Sequence, residues 1–350
     1  MLAVIVVHVS AWPRADGGAD EQVWDSLSLL ARFCVPAFVV LSGLLVGYRP
    51  GGDAPGLTWL VRRGRRTLIP WLAWAPVFLV AGIFMLGTIN RNAPAVANWV
   101  GGGAGHLYYL LLIPQLYLVS LLWPQGARAA VVAAVAALAL QTALGIDRLY
   151  GPVGGSATRT LILWHGYELF PFWIGYFAVG VAVGRMLARG RLRLPATPFL
   201  LALPLTAAAL LVVNVSTSRG QFAEGTGAFL RPLLPPLALA VSGAVFWGAP
   251  ALLRRSRRLA RAVGVLSRYS LGIYIVHPLV LAWIGPRLTV LTDRRLPVSM
   301  AGVAIDAAVA LAGGLLLTRL LTATPLAPLV GDTRRPLRRA REPARWAKAA

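Results

Sequence analysis

The first residue of this chain with clear chemical potential is His8, at the outgoing end of the apolar run from Met1 to Trp12. A histidine inside a membrane segment is costly and marks function by default, whereas one at the interface can simply extend toward water. An imidazole can take a proton from a hydroxyl near neutral pH, which no other side chain does unassisted. We therefore predict His8 as a catalytic general base.

A second chemical feature is the arginine pair Arg63 and Arg66, which lies before the third apolar run. Residues three apart at the start of a helix project from one face, so the two guanidinium groups are expected to point the same way. The pair is either a topology anchor or a phosphate clamp, because guanidinium groups bind phosphate in a bidentate manner and a helix start adds its positive dipole end.

Further polar side chains lie within the apolar runs. The block from His106 to Tyr117 carries tyrosines typical of a membrane interface, and Gln115 lies deeper in it. Tyr274 precedes His277 by about one helical turn, and Pro278 frees a backbone carbonyl near them. Helix packing is the simpler interpretation of this second block. The candidate pore-lining residues are Ser42, His106, Gln115, Tyr274 and His277.

The composition sets the class of protein that must hold these residues. The 350 residues are 57% hydrophobic and 13% charged, more apolar surface than a soluble core of this length could bury. The formal charge of +22 is spread over short segments between apolar runs, which argues against a nucleic-acid partner. With Cys34 as the single cysteine, neither an intrachain disulfide nor a cysteine metal site can form, and no metal site is predicted.

The apolar runs predict an all-α, polytopic transmembrane helix bundle with about ten spans in the lipid bilayer. The first run is too short to cross a membrane, so we expect the natural first span to begin upstream. The later predicted spans are Ser26 to Val46, Thr67 to Ile89, His106 to Trp123, Ala129 to Ile146, Phe170 to Leu187, Pro198 to Val215, Leu230 to Ala249, Leu271 to Pro286 and Val298 to Leu321.

The loops predict the orientation of the chain. Those after spans two, four, six and eight are basic, and the alternate loops hold most of the acidic residues. By the positive-inside rule, both termini are expected in the cytoplasm of a multi-pass cell-membrane protein. We divide the chain into a transmembrane domain, 1–325, and a basic tail, 326–350, which we expect to be disordered. The glycine pairs Gly43 with Gly47 and Gly180 with Gly184 predict close helix packing.

Taken in order, several motifs make the chain resemble a known family. They are Val6-Val7-His8, the run from Val35 to Gly43, the arginines leading into Leu68-Ile69-Pro70, the block from His106 to Tyr117, the run from Phe172 to Gly180, and the run from Ser270 to Pro278. Together they are similar to the membrane-bound acyltransferase type 3 family. The block from His106 to Tyr117 is most similar to its branch of polysaccharide O-acetyl and O-succinyl transferases.

The resemblance implies an acyltransferase that moves an acyl group, commonly acetyl from acetyl-CoA, to a hydroxyl of a carbohydrate or similar acceptor. Acyl-CoA is then a co-substrate, and no tightly bound cofactor is expected. His8 matches the family histidine and Arg63 with Arg66 match its arginine pair. The family arginine about three helical turns before that histidine has no counterpart in the sequence given.

The mechanism expected from these residues has acyl-CoA held by Arg63 and Arg66 and the acceptor hydroxyl deprotonated by His8. Transient acylation of His8 itself is the alternative, and Tyr274, His277 or His106 could donate to the oxyanion. A transporter or flippase for a lipid-linked or small acidic substrate would use the same residues to line a path. A structural or sensory protein would leave the polar residues unexplained, and the sequence leaves the oligomeric state open.

Overall fold

The computed structural model describes residues 1–10, 21–48, 56–85, 89–90, 92–101, 103–150, 168–190, 192, 195–217, 229, 231, 233–291 and 300–332. Within these ranges the chain is helical and has no β-strand. The α-helices are α1 Leu2–Val9, α2 Glu21–Ala31, α3 Cys34–Gly47, α4 Leu57–Val80, α5 Ala93–Gly101, α6 Tyr108–Val119, α7 Ala127–Tyr150, α8 Ile174–Ala188, α9 Thr197–Thr217, α10 Leu234–Arg255, α11 Arg257–Leu291 and α12 Met300–Thr322.

Most of these helices are suited to a lipid environment. In the described part of the chain, seven helical stretches are long and apolar enough to cross a membrane, one of them combining α2 with α3. Helix α8 and residues Thr197–Val213 of α9 are shorter but also apolar. Large aliphatic side chains such as Leu72, Val132 and Leu205 lie exposed on the outside of the bundle, where lipid would cover them. The predicted all-α polytopic bundle is confirmed.

Helices α3 and α8 pack with their backbones in contact, and glycine makes this possible. A Cβ added at Gly43 or Gly47 would collide with the carbonyls of Phe177 and Val181 on α8. A Cβ at Gly180 would collide in the same way with the carbonyl of Val40 on α3. Small residues on both helices therefore bring the two backbones into direct contact, and the packing predicted from the glycine spacing is confirmed.

The short helix α6 occupies the centre of the bundle. Leu110, Leu112 and Leu116 are fully buried there, and the helix packs against α4 and α3. Elsewhere in the bundle, α11 packs against α12, with Gly314 of α12 against Ile273 of α11. The polar residues of α6 and α11 are thus held by buried apolar neighbours in fixed positions.

Two of the predicted loop boundaries are wrong. Helix α4 begins at Leu57, so Arg62 to Arg66 lie inside a helix and not in a loop. The segment from Arg254 to Arg261 is also helical apart from Ser256, which separates α10 from α11. Both segments carry the charge expected of a loop, but each continues the helix of its span beyond the apolar run, because arginine is a good helix former.

Candidate active site

Three imidazoles meet between α1, α6 and α11. The ring centroid of His8 lies 5.0 Å from that of His277 and 6.1 Å from that of His106, and the centroids of His106 and His277 are 6.0 Å apart. His277 is completely buried, whereas His8 and His106 are half-buried. His8 lies 98 residues before His106 in sequence and His277 lies 171 residues after it, yet the three rings form one group. This group is called the imidazole cluster below.

The position of His106 is set by the turn before α6. Gly103, Ala104 and Gly105 all have positive φ angles, which reverse the chain direction within three residues. The indole Nε1 of Trp71 on α4 donates to the carbonyl of Gly103 over 3.0 Å, and the ring of Phe78, two turns further along α4, lies 4.6 Å from that of His106. Helix α4 therefore fixes both the turn and the ring.

A line of polar side chains leads from the imidazole cluster into the bundle, here called the polar line: Tyr274, Tyr109, Ser42 and Tyr117. The Tyr274 hydroxyl donates to the backbone carbonyl of His106, and its ring lies 5.9 Å from that of Tyr109. The Tyr109 hydroxyl is 3.4 Å from Ser42 Oγ, which itself donates to the Phe38 carbonyl over 2.8 Å.

The far end of the polar line reaches the arginine pair. The Tyr117 hydroxyl interacts with both Ser42 and Arg63, and the Tyr117 ring lies 5.0 Å from Trp59. The Arg63 guanidinium lies 5.5 Å from the same Trp59 ring, a cation–π arrangement. Polar side chains therefore follow one another from an arginine on α4 to the imidazoles at the other end of that helix.

The four arginines of α4 divide into two faces. Arg63 and Arg66 are half-buried against the bundle, whereas Arg62 and Arg65 are exposed. The expectation that the inner pair shares a face agrees with this. The predicted help from the helix dipole is wrong. Helix α4 begins at Leu57, so the arginines lie beyond its first turn, and the positive end of a helix acts only within that turn.

Residues at the end of the described chain lie beside Arg66. The Arg66 Nε donates to the Gly331 carbonyl over 3.4 Å, and the Trp74 Nε1 donates to the Leu329 carbonyl over 2.9 Å. These carbonyls belong to a short 3₁₀ segment, Ala327–Val330, and the residue after it. The first residues of the predicted tail thus pack along α4, while residues 333–350 lie outside the described part.

Gln115 serves a different part of the bundle. Its amide nitrogen donates to the carbonyls of Leu111 and Glu168, and its amide oxygen accepts the N–H of Phe170. These bonds tie α6 to the segment that precedes α8. Of the predicted site residues, His8, His106, His277 and Tyr274 come together and Ser42 lies on the polar line, whereas Gln115 holds backbone groups. Their catalytic roles stay predictions.

Arg32 is a charged residue outside the set of predicted site residues. It lies in the break between α2 and α3, is 6% exposed, and acts electrostatically on His8. Its guanidinium lies 4.8 Å from the Phe229 ring. An arginine in the middle of an apolar run is itself a signal of function in a membrane protein, so the run from Ser26 to Val46 contained the information needed to find it.

The fold and the site define an integral-membrane helix bundle with imidazoles and arginines in its interior, and comparison with known proteins names the family. A family model described as an acyltransferase domain, acyltransferase 3, matches residues 1–321. The chain therefore belongs to the acyltransferase 3 family and is a multi-pass membrane acyltransferase. No curated protein and no solved structure matched the chain.

Proposed function

We propose that this acyltransferase moves an acyl group, acetyl in the first instance, from acyl-CoA to a hydroxyl of a carbohydrate or similar acceptor. The observation that carries the proposal is the polar line between the inner arginines of α4 and the imidazole cluster. It joins a site suited to phosphate with a site suited to proton transfer, which are the two needs of a CoA-dependent acyl transfer.

The proposed orientation puts the arginines at the cytoplasmic face. If each span crosses the membrane once, Arg62 to Arg66, Arg128, Arg189 and Arg254 to Arg261 fall near span ends on the same side. By the positive-inside rule this side is cytoplasmic, as are both termini. Acyl-CoA is made and held in the cytoplasm, so its phosphates would meet Arg63 and Arg66 on arrival.

The spacing of the two sites suits a donor with a long, thin arm. Along α4, Arg63 and Phe78 are 15 residues apart, which corresponds to about 22 Å of helix. Coenzyme A carries its phosphates at one end and its thioester at the end of an extended pantetheine arm. With the phosphates on the arginines, the arm would follow the polar line and bring the thioester to the imidazole cluster.

His8 is the imidazole that we assign as general base. It is half-buried, and no described residue hydrogen-bonds either of its ring nitrogens. In the proposed reaction, His8 takes the proton of the acceptor hydroxyl as the oxygen attacks the thioester carbonyl. The C–S bond then breaks, and His8 returns the proton to the departing CoA thiolate. In the alternative, His8 attacks the thioester first and the acyl-imidazole is then transferred.

The proposal is tested with purified protein in lipid vesicles, given radiolabelled acetyl-CoA and a soluble sugar acceptor. The expected product is a labelled sugar from which mild alkali releases acetate, because the new bond is an oxygen ester. Longer acyl-CoA donors in the same assay define the acyl length. Label that stays in acetyl-CoA, together with transfer from a different acyl donor, would contradict the donor assignment.

A further inference from the structure

The protonation of His277 can be read from its hydrogen bonds. Pro278 has no N–H, so the carbonyl of Tyr274, four residues earlier, lacks the donor that a helix normally supplies. The Nδ1 atom of His277 lies 2.9 Å from this carbonyl oxygen and 3.0 Å from that of Ile273. Because carbonyl oxygens only accept, Nδ1 carries the proton, and Nε2 of the neutral ring holds a lone pair.

The same reasoning applies to its neighbours. His106 Nε2 lies 3.2 Å from the Ile275 carbonyl and therefore donates to it, which leaves Nδ1 unprotonated in the neutral ring. The Tyr274 hydroxyl already donates to the His106 carbonyl. None of the oxyanion donors expected from the sequence, Tyr274, His277 and His106, has a proton left for that role in this arrangement.

The Nε2 atom of His277 is the unusual one. His277 is 0% exposed, and no described group hydrogen-bonds to its Nε2 atom. Buried polar atoms normally have a hydrogen-bond partner. The nearest imidazole is His8, with ring centroids 5.0 Å apart and ring planes inclined by 63°. Ring centroids this close leave room for a hydrogen bond between one nitrogen of each ring when the two nitrogens face each other.

We propose that His277 is a positioning residue for His8: its Nε2 accepts a hydrogen bond from one N–H of His8. The other His8 nitrogen is then unprotonated and ready to take the proton of the acceptor hydroxyl. When His8 becomes an imidazolium, the bond to His277 becomes charge-assisted and therefore stronger. This inference rests on the proposed function, in which His8 is the general base.

Two amide substitutions separate the two nitrogens of His277. Glutamine puts its amide near the position of Nε2, where its oxygen can accept from His8. Asparagine puts its amide near Nδ1, where its nitrogen can donate to the Tyr274 carbonyl, and leaves the Nε2 position empty. We expect His277→Asn to lower kcat by about 10- to 150-fold, the range for losing one hydrogen bond to a charged group, with KM for acyl-CoA unchanged.

The expected result for His277→Gln is a kcat within a few fold of wild type. If His277 acted only through Nδ1, as a packing residue would, asparagine would be the better replacement. Asparagine equal to or better than glutamine, or two folded but equally inactive variants, overturns the inference. His8→Ala in parallel keeps the two claims apart: if it retains full activity, the proposed function fails whatever His277 does.

A measurement on the wild-type protein does not depend on the variants folding. In protein labelled with ¹⁵N-histidine, His277 is expected to give a protonated-type shift at Nδ1 and an unprotonated-type shift at Nε2. Free neutral imidazole side chains favour the opposite tautomer in water, so the result is diagnostic. An unprotonated Nδ1 would overturn the inference.

Discussion

Replacing Arg63 by glutamine is expected to weaken acyl-CoA binding without slowing the chemical step. The Arg63 guanidinium is half-buried beside Tyr117 and Trp59, at the far end of the polar line from the imidazole cluster. Arg62 is adjacent in sequence but exposed on the other face of α4. The two substitutions remove the same charge from the same turn of helix, so Arg62→Gln is a matched control for membrane topology.

The size of the effect follows from the number of bonds lost. One hydrogen bond to a charged group contributes about 1.5–3 kcal/mol. Arg63 is partly exposed and therefore partly screened, so we take the lower value, which corresponds to about a tenfold rise in KM. Arg63→Lys keeps the charge but loses the bidentate geometry and should fall between glutamine and wild type.

The assay is an acyl-CoA titration with protein in lipid vesicles at low and high salt. The Arg63 effect should shrink as salt screens the phosphate interaction, while kcat stays constant. Equal effects of Arg62→Gln and Arg63→Gln would refute the clamp and leave a topology anchor. A fall in kcat with unchanged KM would also contradict it.

Three further predictions concern stability and packing. Gly180→Ala should lower the stability of the folded protein by about 1–3 kcal/mol, because the added Cβ meets the Val40 carbonyl. Gly264→Ala is the control, since Gly264 has open space around it and should tolerate the change. Thermal unfolding in detergent compares the two variants, and equal shifts in melting temperature would contradict the close contact. Gln115→Leu should lower the stability of the folded protein by about 1–3 kcal/mol, because the Phe170 N–H loses its acceptor. It should leave kcat unchanged, and a large fall in kcat would place Gln115 in the reaction. Trp74→Phe removes the bond to Leu329 and should speed protease cleavage after residue 326, while unchanged cleavage would show that this bond does not hold the segment.

Much of the fold follows directly from the sequence. Long apolar runs can only be satisfied as helices in lipid, so the apolar part of most helices was predictable. About ten spans were predicted, and the described residues form seven stretches of spanning length and two shorter apolar helices. The glycine spacing also predicted close packing by α3 and by α8, because four-residue periodicity puts both small residues on one helix face. That the two helices are each other's partner came only from the structure. The sequence did not predict helix ends where arginines continue a helix past its apolar run. Helix α4, for example, begins at Leu57 and not at the predicted Thr67.

The site was predictable in its members but not in its arrangement. His8, His106 and His277 stood out because imidazoles are rare in apolar runs, and only the packing of distant helices brings them together. Gln115 looked equivalent in sequence, yet its partners are backbone groups of a distant segment. Arg32 was identifiable by the same intramembrane-charge criterion.

The central claim is that His8 takes the acceptor proton in a transfer from acyl-CoA. Its most direct test is the acyl-transfer rate of His8→Ala in lipid vesicles, compared with wild type after thermal unfolding has shown that both are folded. We predict a fall of about 10²- to 10⁴-fold, the usual contribution of a general base. A folded His8→Ala protein that transfers acyl groups at the wild-type rate would contradict the claim.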